Sequence, residues 1–200
     1  MIREELCPGI VSYKNVTGDS LEFIQYIENL VYKNKLMWHQ ASQSDGAEGD
    51  GSVVKKSARD CFAMSLPSYD KNPEFKNEEN VYTQVSTKID ERLLPTVNDY
   101  RSLYAAHHWN INEGWQLLKY GKDNHFVKHY DDSKQYPRTV SMSYYLNDDY
   151  EGGEIEFPNF NLKIKPSADQ VIMFPSNYVY THTVHPVVSG TRYAIVGWWN

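Results

Sequence analysis

Cysteine is scarce in this chain, with two in 200 residues. Cys7 and Cys61 form no Cys-x-x-Cys pair, and two thiols cannot supply the dense bridging of small secreted scaffolds, so a reduced intracellular protein is expected. No apolar run reaches the ~18 residues of a membrane span. The N-terminal Met-Ile-Arg-Glu-Glu-Leu also lacks the basic-then-apolar pattern of a secretory signal. The expectation is a soluble, cytoplasmic chain with no membrane partner. Positive charge is short as well: 20 Lys and Arg against 26 Asp and Glu leave a net charge of −6. That gives no field for a phosphate backbone and argues against duplex nucleic acid as a general partner. Neither a Walker pattern nor Gly-x-Gly-x-x-Gly occurs, so Gly152-Gly153 reads as a turn and not a phosphate cradle. There is no internal repeat, and the one compositionally odd stretch, Ser42 to Ser52, is rich in Gly, Asp and Ser and reads as a loop.

Apolar and aromatic residues, by contrast, are plentiful. The chain is 40% hydrophobic and carries 16 tyrosines, which separates it from disordered sequences and lets one domain of this length bury a core. Residues 1–200 are therefore expected to form a single domain. Asp19 can cap a helix with Glu22 three residues on, and Leu21, Ile24, Ile27, Leu30 and Val31 follow a helical period. After the loop, Arg59 to Leu66 reads as extended. A second helix is expected from Asn77, with Glu78 and Glu79 in its first turn and Val81, Val85, Ile89 and Leu93 on one face, interrupted at Pro95. Beyond Asn112 the period becomes two. Trp115 to Tyr120, Phe126 to Tyr130, Thr139 to Leu146, Glu154 to Phe157, Leu162 to Ile164, Val171 to Phe174, Tyr180 to His185 and Arg192 to Trp199 read as strands between turn signals. Helices followed by about eight short strands without crossover helices predict a mainly β fold. Its core is expected to be a jelly roll, or double-stranded β-helix, formed by residues 111–200. A helix-rich half, residues 1–110, would buttress one of its sheets.

In a strand, side chains two apart point the same way, so His129 and Asp131 would present an imidazole and a carboxylate to one side of the sheet. Alone this is a weak signal, since about 0.5 His-x-Asp pairs arise by chance at this composition. A second histidine on another strand strengthens it, because two His and one carboxylate make the facial triad of non-haem Fe(II) oxygenases. His182 and His185 are the candidates, and their odd spacing puts them on opposite strand faces.

The last ~80 residues, counted by motif extent, resemble the prolyl 4-hydroxylase branch of the 2-oxoglutarate/Fe(II)-dependent dioxygenases. The resemblance is carried by Tyr120, the run from His125 to Asp131, Arg138, Tyr144-Tyr145-Leu146-Asn147, Tyr150-Glu151-Gly152-Gly153-Glu154, Phe157-Pro158 and Phe174-Pro175-Ser176. It continues through His182-Thr183-Val184-His185-Pro186-Val187, Gly190-Thr191-Arg192-Tyr193 and Trp198. It implies His129, Asp131 and His182 as the Fe(II) ligands, leaving His185 outside the metal shell. It implies Arg192 as the partner of the far carboxylate of 2-oxoglutarate, a role its planar fork suits. Tyr145, Tyr120 and Trp198 would line the cosubstrate's pocket, and Arg138 matches a position that contacts substrate in some relatives. The implied cofactors are Fe(II), 2-oxoglutarate, O2 and ascorbate as reductant. The implied reaction is hydroxylation of a C–H bond, first of all on a prolyl residue of a peptide or protein. The alternatives are a small-molecule or other non-prolyl substrate, a non-catalytic jelly roll that binds metal or 2-oxoglutarate, and a zinc hydrolase using the same ligands. His107-His108 and His39 are read as exposed or capping groups, since i and i+1 do not face each other on a helix. No catalysis is assigned to Cys7 or Cys61.

Overall fold

The computed structural model describes residues 1–44, 52–67, 80–104 and 112–200. The chain opens with a hairpin, β1 (Ile2–Cys7) and β2 (Ile10–Lys14), turned at Pro8-Gly9 with Gly9 at φ 78°. Helix α1 (Ser20–Tyr32) and the short strands β3 (His39–Gln40), β4 (Gln43–Ser44), β5 (Ser52–Val53), β6 (Arg59–Asp60) and β7 (Phe62–Pro67) follow, then helix α2 (Val81–Leu103). The remainder is strand: β8 (Asn112–Tyr120), β9 (His125–His129), β10 (Val140–Tyr145), β11 (Glu151–Gly152), β12 (Ile155–Phe157), β13 (Leu162–Ile164), β14 (Gln170–Pro175), β15 (His182–Val184), β16 (Val187–Ser189) and β17 (Arg192–Trp199). The larger sheet runs β1-β2-β14-β10-β17-β8-β7-β3, the smaller β13-β12-β15-β9-β6, and their pairings are antiparallel. This is the jelly roll expected from the strand pattern, buttressed by helices on one sheet.

Alternation along the larger sheet separates two cores. Val140, Met142 and Tyr144 of β10, with Ile195 and Trp199 of β17, pack under the helices against Phe23, Ile27, Val85 and Ile89. The other face carries Tyr145, Ile172, Phe174 and Ala194, which meet Ile155 and Phe157 of the smaller sheet. Pleat geometry thus gives the central strands β10, β14 and β17 one face for the helices and one for the interior between the sheets.

The helices depart from expectation in three ways. Helix α1 begins at the predicted place, but Asp19 makes no side-chain cap; its carboxylate instead pairs with Arg92 at 2.6 Å. Helix α2 is capped by Asn80, whose side chain accepts from the Tyr82 N–H, while Asn77 to Glu79 lie outside the described residues. Pro95 does not interrupt α2, which continues to Leu103. Pro95 itself is exposed, whereas Val85, Ile89, Leu93 and Val97 are at most 2% exposed. Burying each stabilises by roughly 1.5–3 kcal/mol, against about 3 kcal/mol for a proline in a helix. Beyond the proline, Tyr100 donates to the Gly9 carbonyl, and Asp99 receives Arg3 and the Tyr13 hydroxyl, tying α2 to the first hairpin. The expected loop from Ser42 to Ser52 is flanked by the β4–β5 pair; residues 45–51 are outside the description. No described helix is long and apolar enough to cross a membrane.

Candidate metal and cosubstrate site

Between the sheets lies a cavity of about 560 Å3 lined by His129, Asp131, His182, Tyr120, Tyr145, Arg138, Arg192 and Trp198 among others. His182 on β15 pairs in register with His129 on β9, which sets the two rings 4.3 Å apart, centroid to centroid. Asp131 reaches the same place differently from expectation. Strand β9 ends at His129, and the N–H groups of Asp131 and Asp132 both donate to the Ser176 carbonyl. A turn anchored on β14's exit, rather than strand alternation alone, therefore aims the carboxylate inward. One atom from each of His129, Asp131 and His182 lies within 4.8 Å of the others, and this is the metal-competent cluster found among the described residues.

The proton positions follow from the neighbours. His129 Nδ1 is 2.8 Å from the Val127 carbonyl, and His182 Nδ1 is 3.1 Å from that of Tyr180. Carbonyl oxygens only accept, so each Nδ1 carries a proton and Nε2 is the ring atom turned to the cluster, the one that offers a lone pair when the ring is neutral. Those two Nε2 atoms stand 3.6 and 3.9 Å from the oxygens of Asp131. Burial, then the charge of His129, pushes His182 down to about 4, with Asp131 opposing, so the ring is neutral at ordinary pH. Burial would raise Asp131, but His182, His129 and the Ser141 hydroxyl outweigh it and hold the carboxyl well below the usual range. With His182 neutral, the support that persists is the Ser141 Oγ–H bond of 2.6 Å, itself backed by the Ser176 hydroxyl at 2.8 Å. Two ring nitrogens and a carboxylate oxygen converging on one point fit a divalent cation, and two imidazoles with one carboxylate suit Fe(II). Phe126 stacks on His129 at 3.5 Å, and Phe157 and Phe174 pack against His182.

The other end of the cavity has the opposite chemistry. Arg192 is 3% exposed, and its Nε and Nη1 have no hydrogen-bond partner. Its guanidinium sits 4.7 Å over the Tyr120 ring and 5.0 Å from that of Tyr145. The hydroxyls of Tyr145 and Tyr150 are likewise buried without partners. Gly153 at φ 64° keeps this corner open, since a Cβ there would lie 3.1 Å from Arg192 Cδ. A buried guanidinium with unspent donors beside two unspent hydroxyls fits an anion, and its fork fits a carboxylate. Tyr120 supports the arginine from below, in a core cluster with Cys61 and Leu118.

The remaining sequence candidates fall at or outside the metal end. Trp198 stands opposite Ser141 in the β10–β17 register, six residues along the strand from Arg192 and so roughly 20 Å away. It walls the cavity beside the metal cluster and not beside Arg192. Arg138 lies 3.9 Å over the Trp198 ring and pairs with Glu113 at 2.9 Å, not with a carboxylate of Asp131 or Asp132. His185 turns away to pair with Glu156. His107 and His108 are outside the described residues. Sequence reading missed Ser141 and Glu113, and it quoted Tyr150 in the motif without giving it a role. Ser141 alone left a signal, as a polar residue at an inward position of an apolar strand.

Residues 115–200 match the family model described as the 2OG-Fe(II) oxygenase superfamily. A PKHD-type hydroxylase of Synechococcus sp. (strain CC9902) is 37% identical over 89 residues, which are 42% of this chain and 34% of that protein. One from Prochlorococcus marinus (strain MIT 9515) is 25% identical over 95% of the chain and 77% of its own length. Among solved structures, a Trichoplax adhaerens prolyl hydroxylase, in complex with a hypoxia inducible factor peptide, superposes with a TM-score of 0.68 at 20% identity over 96% of this chain and 83% of that one. A Pseudomonas putida prolyl-4-hydroxylase gives 0.64 at 17% identity, covering 96% and 92%. At such identities the structures speak for the fold, while the sequence match falls on the strands that supply the three converging bases and the buried arginine. Residues 115–200, less than half of the chain, are thus similar to the 2-oxoglutarate/Fe(II) oxygenase superfamily.

Proposed function

We propose that residues 1–200 form one dioxygenase domain that couples the oxidative decarboxylation of 2-oxoglutarate, to succinate and CO2, to hydroxylation of a C–H bond. The carrying observation is that one cavity joins two ring nitrogens and a carboxylate oxygen to a buried arginine with unspent donors. Fe(II), when bound, supplies the activation of O2 that the protein's own groups cannot. His129 and His182 offer Nε2 to it and Asp131 a carboxylate oxygen, each fixed by the bonds to Val127, Tyr180 and Ser141. Arg192 takes the far carboxylate of 2-oxoglutarate, and Tyr145 and Tyr150 donate beside it. Phe126, Phe157 and Phe174 keep water from the back of the metal ligands.

The substrate proposed is a prolyl residue in a peptide or protein. Support comes from the relatives' character as PKHD-type and prolyl hydroxylases and from a structural neighbour holding a peptide. The cavity mouth adds to it, with Tyr130 and Tyr136 at 52% and 40% exposure. Free Cys7 and Cys61 fit a reducing compartment such as the cytoplasm. The test is an anaerobic titration with Fe(II) and 2-oxoglutarate, then O2 with ascorbate and a peptide library read by mass. Succinate should form in step with a +16 Da prolyl product, and His129→Ala should abolish both. A +16 Da product only on a free amino acid or other non-peptide rejects the substrate, and wild-type succinate production by His129→Ala rejects the metal assignment.

A further inference from the structure

A third arginine faces the same cavity and has no place in the chemistry above. Arg59, on β6 at the edge of the smaller sheet, is 8% exposed. Its Nη1 donates to the Ser42 carbonyl at 3.0 Å and its Nη2 to Gln116 Oε1 at 3.2 Å, while Nε has no partner. The plane of the group lies 5.0 Å over the Phe126 ring, the ring that stacks on His129. A guanidinium carries five N–H donors, and here its acceptors are neutral. Among the described residues no carboxylate comes within ion-pair distance of it; the neighbouring Asp60 carboxylate is held instead by Gln40.

Charge bookkeeping for the cavity, with the proposed metal and cosubstrate counted in, singles out Arg59. The two positive charges of Fe(II) and the one on Arg192 balance Asp131 and the two carboxylates of 2-oxoglutarate. Glu113 neutralises Arg138, and Lys128 and Asp132 add one charge of each sign to the lining. Among the described residues Arg59 is then the unbalanced charge, buried where a lone ion is costly. Arg59, Ser42 and Gln116 also form the wall shared with an adjoining cavity of about 320 Å3, which gives a bound chain room to continue past the metal.

We propose that Arg59 is a specificity residue that binds a carboxylate of the substrate, either an acidic side chain flanking the oxidised residue or a free α-carboxylate. Gln116 and the Ser42 carbonyl hold its plane toward the cavity. The inference rests on the dioxygenase reading above and selects, within it, an acidic substrate.

The test uses the full chain with Fe(II), 2-oxoglutarate and O2, and proline peptides in matched pairs: Glu against Gln beside the proline, and a free C-terminus against an amide. In the wild type, kcat/KM should favour one acid-bearing member by about tenfold or more, as a charge-assisted contact does; which pair shows it separates the two sources of the carboxylate. In Arg59→Gln and in Arg59→Met, which keeps the stem on Phe126, that ratio should fall to near one through a higher KM for the acidic peptide. Arg59→Lys should keep most of it. A purely structural arginine would lower the melting temperature and depress both members of a pair alike. Equal rates for acid and amide in the wild type, stimulation by no acid-bearing probe, or a preference surviving in a folded Arg59→Met overturns the proposal while leaving the dioxygenase intact. Absence of succinate under every condition overturns the dioxygenase reading itself.

Discussion

The two ends of the central cavity are built on opposite principles. At the metal end, acceptors are turned inward: each imidazole spends its Nδ1 N–H on a backbone carbonyl and turns its other nitrogen to the cluster. At the far end, donors are kept in surplus, with two guanidinium nitrogens and two tyrosine hydroxyls unspent. Each end alone is a buried polar liability, and together they suit the ligand set proposed above, a divalent cation at one end and a dianion toward the other. Breaking one end should therefore leave the other recognisable.

The largest separable effect is expected from Arg192→Met. Removing a buried, charge-assisted contact should raise the KM for 2-oxoglutarate by roughly a hundredfold, with Fe(II) affinity unchanged in an anaerobic titration. A matching loss of metal affinity would show that the ends are not independent. Ser141→Ala strikes the metal end from behind, removing the 2.6 Å bond to Asp131. Outer-shell partners of metal ligands are worth about 10–100-fold in affinity. The Fe(II) Kd should rise by that order while the KM for 2-oxoglutarate, measured at saturating metal, stays near wild type. Tyr145→Phe is smaller, since one neutral donor is lost beside an arginine that remains; a rise in that KM of about fivefold is expected. If Tyr145→Phe changes nothing, the hydroxyl contributes only packing.

The two ends also differed in how far they could be read from sequence. His129 and Asp131 stand two apart, so alternation alone suggested a shared side, even though the carboxylate owes its aim to the Ser176 carbonyl. Arg192 by itself looked like any strand arginine, and only its place in a motif pointed to the interior. The β-rich half was legible because short alternating strands with turn residues between them admit few architectures. The first hairpin escaped, although Pro8-Gly9 marks its turn, because β1 is an edge strand with charged, exposed residues that blur alternation. Pro95 misled because local propensity is judged without the sheet that holds the helix. Arg59, Glu113 and Ser141 act through partners 57, 25 and 10 residues away, and no local pattern records such a pairing.

The last effect concerns the metal-free protein. Burial, together with His129, lowers His182 from 6.5 to about 4. A group whose folded pKa is depressed binds fewer protons in the folded state, so its contribution is fully present above 6.5 and is lost as pH falls toward 4. Asp131 works in the same direction, because its carboxyl is also held low. An ordinary unfolded carboxylate, however, takes up protons only near pH 4, so between pH 7 and pH 5 the loss belongs to His182. It should amount to about 2 kcal/mol at pH 5, read as a shift in urea midpoint after chelation. His182→Gln, which has no proton to gain, should flatten that part of the curve. An unaltered slope in the variant would place the titration elsewhere and remove the argument that a dry, neutral imidazole waits at the metal end.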